Sequence, residues 1–435
     1  MEEVKLDVEG CMDTDCIQKI DFHSNNHQKT HFFESSVYIN ISNMGVLKWF
    51  KIQALFFGVD MTLALDQILP ARYDHVGSFL RPAYLLEARA QKAKGEITPE
   101  ALREVEDKAI KEIIDFQQSV GLKSITDGEF RRTYFHIDFL EQLGGVKTDI
   151  PVTIKKADGT EELAPPVIKV IDKVTHQKNI QLDDFNFLKQ HVAKGMTPKV
   201  TIPSPTMLHF RGGRAAISKQ AYPELDPQFY DDVAKAYGDE LHALAKAGCT
   251  YVQMDDTNLA YLCDEKMREA AKLRGDDPNE LPHRYAAFVN KVVALKPEGM
   301  TLAMHLCRGN FKSTHAAAGN YEPVAEALLS EMNLDAYFLE YDDDRSGDFK
   351  PLRFLPKGKI VVLGLVTTKF GEMETKDSIK RRIEEAAKYA PLEQLALSPQ
   401  CGFSSTVHGN NIAVEAQRNK LRLVIETAQE VWGNH

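Results

Sequence analysis

Four side chains of ligand type stand at the ends of apolar runs. His305 and Cys307 follow Gly299-Met300-Thr301-Leu302-Ala303-Met304, Glu340 closes Ala336-Tyr337-Phe338-Leu339, and Cys401 follows Leu395-Ala396-Leu397-Ser398-Pro399-Gln400. A buried Cys is ordinarily a small core residue, and His-x-Cys alone says little. Three strands ending in matching fashion say more. Together they offer an N, S, O, S set of the kind that suits zinc. Two thiolates and one carboxylate around a divalent ion leave a net charge of about −1. Such a centre is a poor source of hydroxide for hydrolysis, but it suits the holding of a substrate thiol as thiolate. A structural zinc is the alternative. Structural sites, however, usually draw on close-spaced Cys-x-x-Cys knuckles, whereas these four residues are spread over three strands, as in active sites.

Positioning them requires a repeated scaffold. Apolar runs of about five residues, each preceded by a helical stretch, recur along the chain and predict parallel β/α units. Eight candidate strands cover residues 73–77, 123–127, 199–203, 251–255, 301–305, 336–340, 360–366 and 394–398. Thr98-Pro99-Glu100 predicts a helix start with Pro at the first position and an end at Gly121. Asp226-Pro227 predicts the same for a helix ending at Gly248, and residues 375–389 read as a charged amphipathic helix closed by Pro391. Eight units imply an α/β fold of the (β/α)8 TIM-barrel type. A doubly wound open sheet is the alternative, but no Gly-x-Gly-x-x-Gly follows a first strand. Residues 144–196 form an insertion between strands 2 and 3. Its segment 152–160 reads as a hairpin around Asp158-Gly159, a lid or a purely structural flap.

The bulk numbers are those of an ordinary globular protein: 435 residues, 43% hydrophobic, 27% charged. A net charge of −10 argues against nucleic acid or an anionic membrane as partner. Six Cys in so long a chain are no disulfide framework, so a reducing, cytoplasmic setting is expected. Cys249 and Cys263 read as ordinary buried thiols. Residues 1–60 differ from the rest. The segment 1–29 is acidic, polar and aperiodic, and it lacks the basic character of a transit or signal peptide. Residues 46–59 are apolar but interrupted by Lys48 and Lys51, too short to span a membrane and better suited to a short amphipathic helix. A loosely packed extension, 1–60, and one barrel domain, 61–435, are therefore expected, with Met61 as an alternative start. Nothing bears on oligomeric state.

In such barrels the chemistry gathers at the C-terminal ends of the strands. The remaining polar motifs fall there: His75-Val76-Gly77-Ser78, Asp127-Gly128-Glu129, Gln253-Met254-Asp255-Asp256 and Thr367-Thr368-Lys369. With His305-x-Cys307, Glu340 and Cys401-Gly402 they resemble the C-terminal catalytic barrel of cobalamin-independent methionine synthases, in particular its short single-barrel forms. The similarity runs over residues 72–433. It implies zinc-dependent transfer of a methyl group to the thiol of L-homocysteine, giving methionine. By that resemblance His305, Cys307, Glu340 and Cys401 hold the zinc. Gly77 and Ser78 contact the amino acid, and Glu129 and Asp255 bind its amino group, as charge-assisted hydrogen bonds would favour.

The chain departs from the family's pattern in two ways. It has no room for the extra N-terminal barrel of the full-length enzymes, which helps bind the polyglutamylated folate. The family's His after the seventh strand, the proposed acid for the departing folate, is replaced by Lys369, which makes Lys369 the candidate catalytic acid. The methyl donor is then a 5-methyltetrahydrofolate, a methylcorrinoid or another small molecule. Two rival readings stay open: a zinc alkyltransferase for another thiol such as coenzyme M, with Arg131, Arg132 and Arg308 near the motifs, and a non-catalytic barrel that binds zinc or methionine. A uroporphyrinogen-decarboxylase-like enzyme would share the barrel without a Cys-based metal site.

Overall fold

The computed structural model describes residues 65, 68–149, 153–155, 161–163, 167–310, 313–407 and 409–433. The expected extension 1–60, with its short helix and Cys11 and Cys16, lies outside the described residues.

In chain order the strands are β1 (Ser124–Ile125), β2 (Gly144–Thr148), β3 (Thr153–Lys155), β4 (Glu161–Leu163), β5 (Ile168–Thr175), β6 (Thr197–Pro198), β7 (Val200–Pro203), β8 (Tyr251–Asp256), β9 (Thr301–Leu306), β10 (Ala336–Glu340), β11 (Ile360–Val366) and β12 (Leu395–Pro399). Strands β7 to β12 form one parallel sheet in sequence order. Beside it, β1 pairs in parallel with β6, and the Lys199 N–H bonds to the Ile125 carbonyl at 2.8 Å. At the other edge Tyr73 bridges Leu397 in parallel. The ring closes where Phe79 N–H donates to the Gly128 carbonyl at 3.2 Å. The result is the eight-position barrel.

The last six barrel strands match the sequence reading within a residue or two, but the first two are shorter. Expected strand 73–77 is reduced to the Tyr73 bridge, and 123–127 to the two residues of β1. The reason is visible in the hydrogen bonds. The carbonyls of His75, Val76 and Gly77 accept from Lys199 Nζ (2.6 Å), Gln253 Nε2 (2.7 Å) and Thr126 Oγ1 (2.7 Å). Side chains satisfy groups that a ladder would otherwise pair.

The helices show the expected punctuation with one exception. Thr98 caps the helix Pro99–Val120 by accepting from Ala101 N–H at 3.2 Å, and Gly121 ends it at φ +103°. Thr375 likewise caps Lys376–Ala386. Pro227, expected as the first helical residue, instead precedes the helix Gln228–Lys246, and Asp226 makes no cap. That helix ends two residues short of Gly248.

Two apolar layers result. Helices pack on the outside of the strands through faces such as Ala109, Ile110, Ile113 and Ile114. Inside the barrel, Val76, Tyr251, Ala303, Ala336, Phe338, Ile360, Val362 and Ala396 close the lower part together with Leu65 and Leu69. Successive strand side chains alternate between faces. Residues two beyond this plug therefore also point inward, which puts His305 above Ala303 and Glu340 above Phe338.

In the insertion, β2 and β5 pair antiparallel, as do β3 and β4. The first arm of the expected hairpin is thus present and its partner, Glu161–Leu163, lies just beyond the expected 152–160, while 156–160 lies outside the described residues. β5 is anchored to the loop after β7, with Ser218 N–H on the Val170 carbonyl at 2.8 Å. Among the described residues no helix is long and apolar enough to cross a membrane.

Candidate metal centre

The strand ends bring His305, Cys307, Glu340 and Cys401 together, with one potential ligand atom from each lying within 4.8 Å of all the others. His305 and Glu340 are 1% exposed, Cys401 is buried and Cys307 half-buried. Cys307 lies one residue beyond β9, where its N–H continues the ladder to the Asp256 carbonyl at 2.7 Å. Its Sγ is 3.6 Å from Cys401 Sγ, and both thiols are free.

The surroundings fit a cation. Neither ring nitrogen of His305 has a hydrogen-bond partner among the described residues, although the imidazole is buried. Buried polar atoms are seldom left so. Burial lowers the His305 pKa, yet the charge and close side-chain contact of Cys401, with the charges of Asp255 and Glu340, outweigh it and leave it raised. The Cys401 thiol is pushed well above its usual range by its bond to Cys307, by burial and by the Cys307 charge. Anionic groups packed this tightly repel one another, and a divalent ion reverses that balance by binding the deprotonated forms. The donor set of one imidazole, two thiols and one carboxylate fits zinc or another borderline-soft ion.

Three of the four candidate ligands are also held from behind. Glu340 Oε1 accepts from Arg308 N–H at 2.8 Å, and Oε2 from Arg345 Nη2 at 2.7 Å. Cys307 Sγ accepts from Gly309 N–H at 3.3 Å, and Cys401 Sγ lies 3.3 Å from Ser405 Oγ.

Of the other sequence-predicted residues, Asp255 and Ser78 lie on segments adjacent to the cluster, and Glu129 and Gly77 pack against each other. Asp255 is the register partner of His305 across β8 and β9 and takes a 2.7 Å bond from Gln253 Nε2. Burial raises its pKa, a rise opposed by His305, Gln253 and Arg132. Glu129 sits at φ +58°, accepts from Thr201 Oγ1 at 3.1 Å and is ion-paired with Arg132. Its carboxylate lies against the Gly77 Cα, which adopts φ +142°. Ser78 Oγ accepts from Ser404 N–H at 3.3 Å and abuts Gly402, so the first loop touches the loop that carries Cys401.

Lys369 stands one step removed. Its Nζ is 3.2 Å from Asp342 Oδ2, and Asp342 lies 2.7 Å from Arg345, which holds Glu340. Of the three arginines near the motifs, Arg131 turns away to Glu106, Asp107 and Asp184. Arg132 joins Glu129 and the Ser405 carbonyl. Arg308 is fully buried over the Tyr321 ring at 4.3 Å.

Two groups of functional interest escaped the sequence reading. Asp74 accepts from Tyr251 Oη at 2.6 Å and pairs with Lys199 at 3.3 Å, forming a buried network beneath the pocket. Arg345 lies in the run Tyr341-Asp342-Asp343-Asp344-Arg345, whose only signal is a basic residue among acids.

Comparison with known proteins follows the same lines. The family model described as "Cobalamin-independent synthase, Catalytic domain" matches residues 73–430. The uncharacterized protein YxjH of Bacillus subtilis is 47% identical over 364 residues, covering 83% of this chain and 95% of its own. The methionine synthase of Sulfurisphaera tokodaii is 24% identical over 358 residues, covering 79% and 93%. A solved structure from Listeria monocytogenes, provisionally assigned as a vitamin-B12-independent methionine synthase, superposes with a TM-score of 0.66 at 38% identity and covers 83% and 98%.

Proposed function

Because the chain belongs to the cobalamin-independent methionine synthase family, we propose that it transfers a methyl group to the thiol of L-homocysteine at a zinc ion. His305, Cys307, Glu340 and Cys401 are the ligands in this reading. The observation that carries it is the convergence of these four within 4.8 Å around a buried imidazole with no hydrogen-bond partner. When bound, zinc supplies Lewis acidity that keeps the substrate thiol deprotonated near neutral pH.

The chain's own residues would do the rest. Glu129 and Asp255 present two carboxylates to the substrate ammonium, and Gly77 with Ser78 receives its carboxylate through backbone N–H and hydroxyl. Held at that end, the amino acid directs its sulfur toward the ligand cluster, and the entropy of alignment is met by binding. In the transfer, sulfur forms its bond to the methyl carbon as the donor's bond to that carbon breaks. The electron pair stays with the donor, which then needs a proton. For a 5-methyltetrahydrofolate donor we assign that proton to Lys369, whose Nζ lies 3.2 Å from Asp342 Oδ2. Zinc as the metal, the donor and a cytoplasmic setting are parts of this proposal.

The test is an anaerobic titration of the metal-loaded protein with L-homocysteine, coenzyme M and cysteine, following proton release. Release of about one proton per site with homocysteine alone, abolished in Cys401→Ser, supports the reading. Release with coenzyme M instead moves the function to another thiol, and no release with any thiol overturns it.

A further inference from the structure

Among the four ligands Glu340 is the least constrained by its own chemistry, because a carboxylate can rotate and bind through one oxygen or two. What constrains it here is Arg345. The Nη2 of Arg345 lies 2.7 Å from Glu340 Oε2 and 2.7 Å from Asp342 Oδ1, and its Nη1 meets Asp343. The second oxygen of Asp342 faces Lys369 Nζ at 3.2 Å. Side-chain exposure is 6% for Arg345, 4% for Lys369 and 1% for both Glu340 and Asp342. Charge therefore alternates along a buried line: ammonium, carboxylate, guanidinium, carboxylate.

Each member has a reason to stay. Breaking a buried pair by removing one partner leaves the other charge uncompensated, which is costly. The planar guanidinium presents its donors in a rigid fork, here Nη2 to Glu340 and Asp342 and Nη1 to Asp343, whereas an ammonium on a flexible stem fixes no such fork. The line ends at the ligand cluster and does not reach the Glu129–Asp255 side of the pocket, so its effect falls on the metal.

We propose that Arg345 is a positioning residue of the metal centre: backed by Asp342 and Lys369, it fixes the Glu340 carboxylate so that the ion is held in one geometry. This rests on the metal-centre reading above but not on the identity of the thiol.

The test uses the full chain loaded with Zn²⁺, or with Co²⁺ for spectroscopy. Wild type is compared with Arg345→Met, Arg345→Lys and Asp342→Asn. Transfer of Zn²⁺ to a chromogenic chelator gives affinity and release rate, and thermal unfolding of the metal-free forms reports the fold. Partners behind metal ligands typically contribute about 10–100-fold in affinity. Arg345→Met should fall in that range, with a shifted Co²⁺ absorption spectrum; Arg345→Lys and Asp342→Asn should lose less. If Arg345→Met does not fold, the Asp342→Asn spectrum and release rate carry the comparison.

Zinc affinity and a Co²⁺ spectrum equal to wild type in these variants would overturn the brace while leaving the metal centre in place. A wild type that holds no zinc would overturn both. Zinc held tightly with no homocysteine-dependent proton release would remove the functional reading alone.

Discussion

The Glu129 carboxylate rests directly on the Cα of Gly77, so that a Cβ at residue 77 would overlap Glu129 Oε1 and come within 2.8 Å of Thr201 Cγ2. A glycine is therefore needed on two counts, contact and a φ of +142° that side chains seldom adopt. The two proposed amino-acid-binding residues specify each other's position although they lie on different loops.

Gly77→Ala should accordingly cost about 1–3 kcal/mol, as overpacking does. It should also push Glu129 off its present partners. Denaturant unfolding checks the first effect. A rise in the homocysteine concentration needed for half-maximal activity, with zinc content unchanged, checks the second.

The thiols divide into two classes. Burial pushes Cys249 and Cys263 up to about 12, leaving only about one part in ten thousand as thiolate at pH 8. Both should stay unmodified by iodoacetamide in the native protein, whether metal is present or stripped. Cys307 is half-buried and should be protected by metal, then alkylated first once a chelator removes it. Peptide mass mapping of these positions decides the matter, and modification of Cys249 before Cys307 would contradict the burial argument.

Buried His75 carries a pH dependence of defined sign. Burial brings its pKa down to about 4, with Lys199 acting in the same direction and Asp74 and the Ser124 carbonyl opposing. The unfolded chain binds the proton from about pH 6.5 downward, while the folded chain does so only near 4. Unfolded protein therefore holds more protons in that window, and stability falls as pH drops through it. The difference amounts to about 3 kcal/mol once complete. His75→Gln keeps a donor for the Ser124 carbonyl but cannot titrate. Its unfolding free energy should vary less with pH between 6.5 and 4 than that of wild type.

The parts legible in sequence were those with a period. β10 and β11 coincide with the apolar runs at 336–340 and 360–366, and the inward placement of His305 and Glu340 at strand ends follows from side-chain alternation along such runs. The first two strands are shorter than expected because side chains take their carbonyls: Lys199, Gln253 and Thr126 those of residues 75–77, and His75 and Gln117 those of Ser124 and Thr126. Side-chain capture of a carbonyl from a distant strand leaves no local trace. Arg345 was invisible for a related reason. It sits in the short turn Asp344–Ser346, where no period exists, and its meaning comes from Glu340 and Asp342 folding back upon it.

Lys369 can be assigned by what an arginine does in its place. Lys369→Arg keeps a cation for Asp342, so the support of Glu340 through Arg345 survives, but a guanidinium releases no proton near neutrality. Lys369→Met removes both. If Lys369 delivers the proton to the departing donor, Lys369→Arg should bind zinc and homocysteine as wild type does. Its single-turnover methyl transfer should be slower by about 10²-fold or more, the usual contribution of a positioned acid. Lys369→Met should in addition lose zinc more readily. Single-turnover rates measured across pH, alongside chelator competition, separate the two roles. Wild-type transfer in Lys369→Arg would leave this residue with a purely electrostatic part in holding Asp342, and the proton would then have to come from solvent or from another group at the pocket.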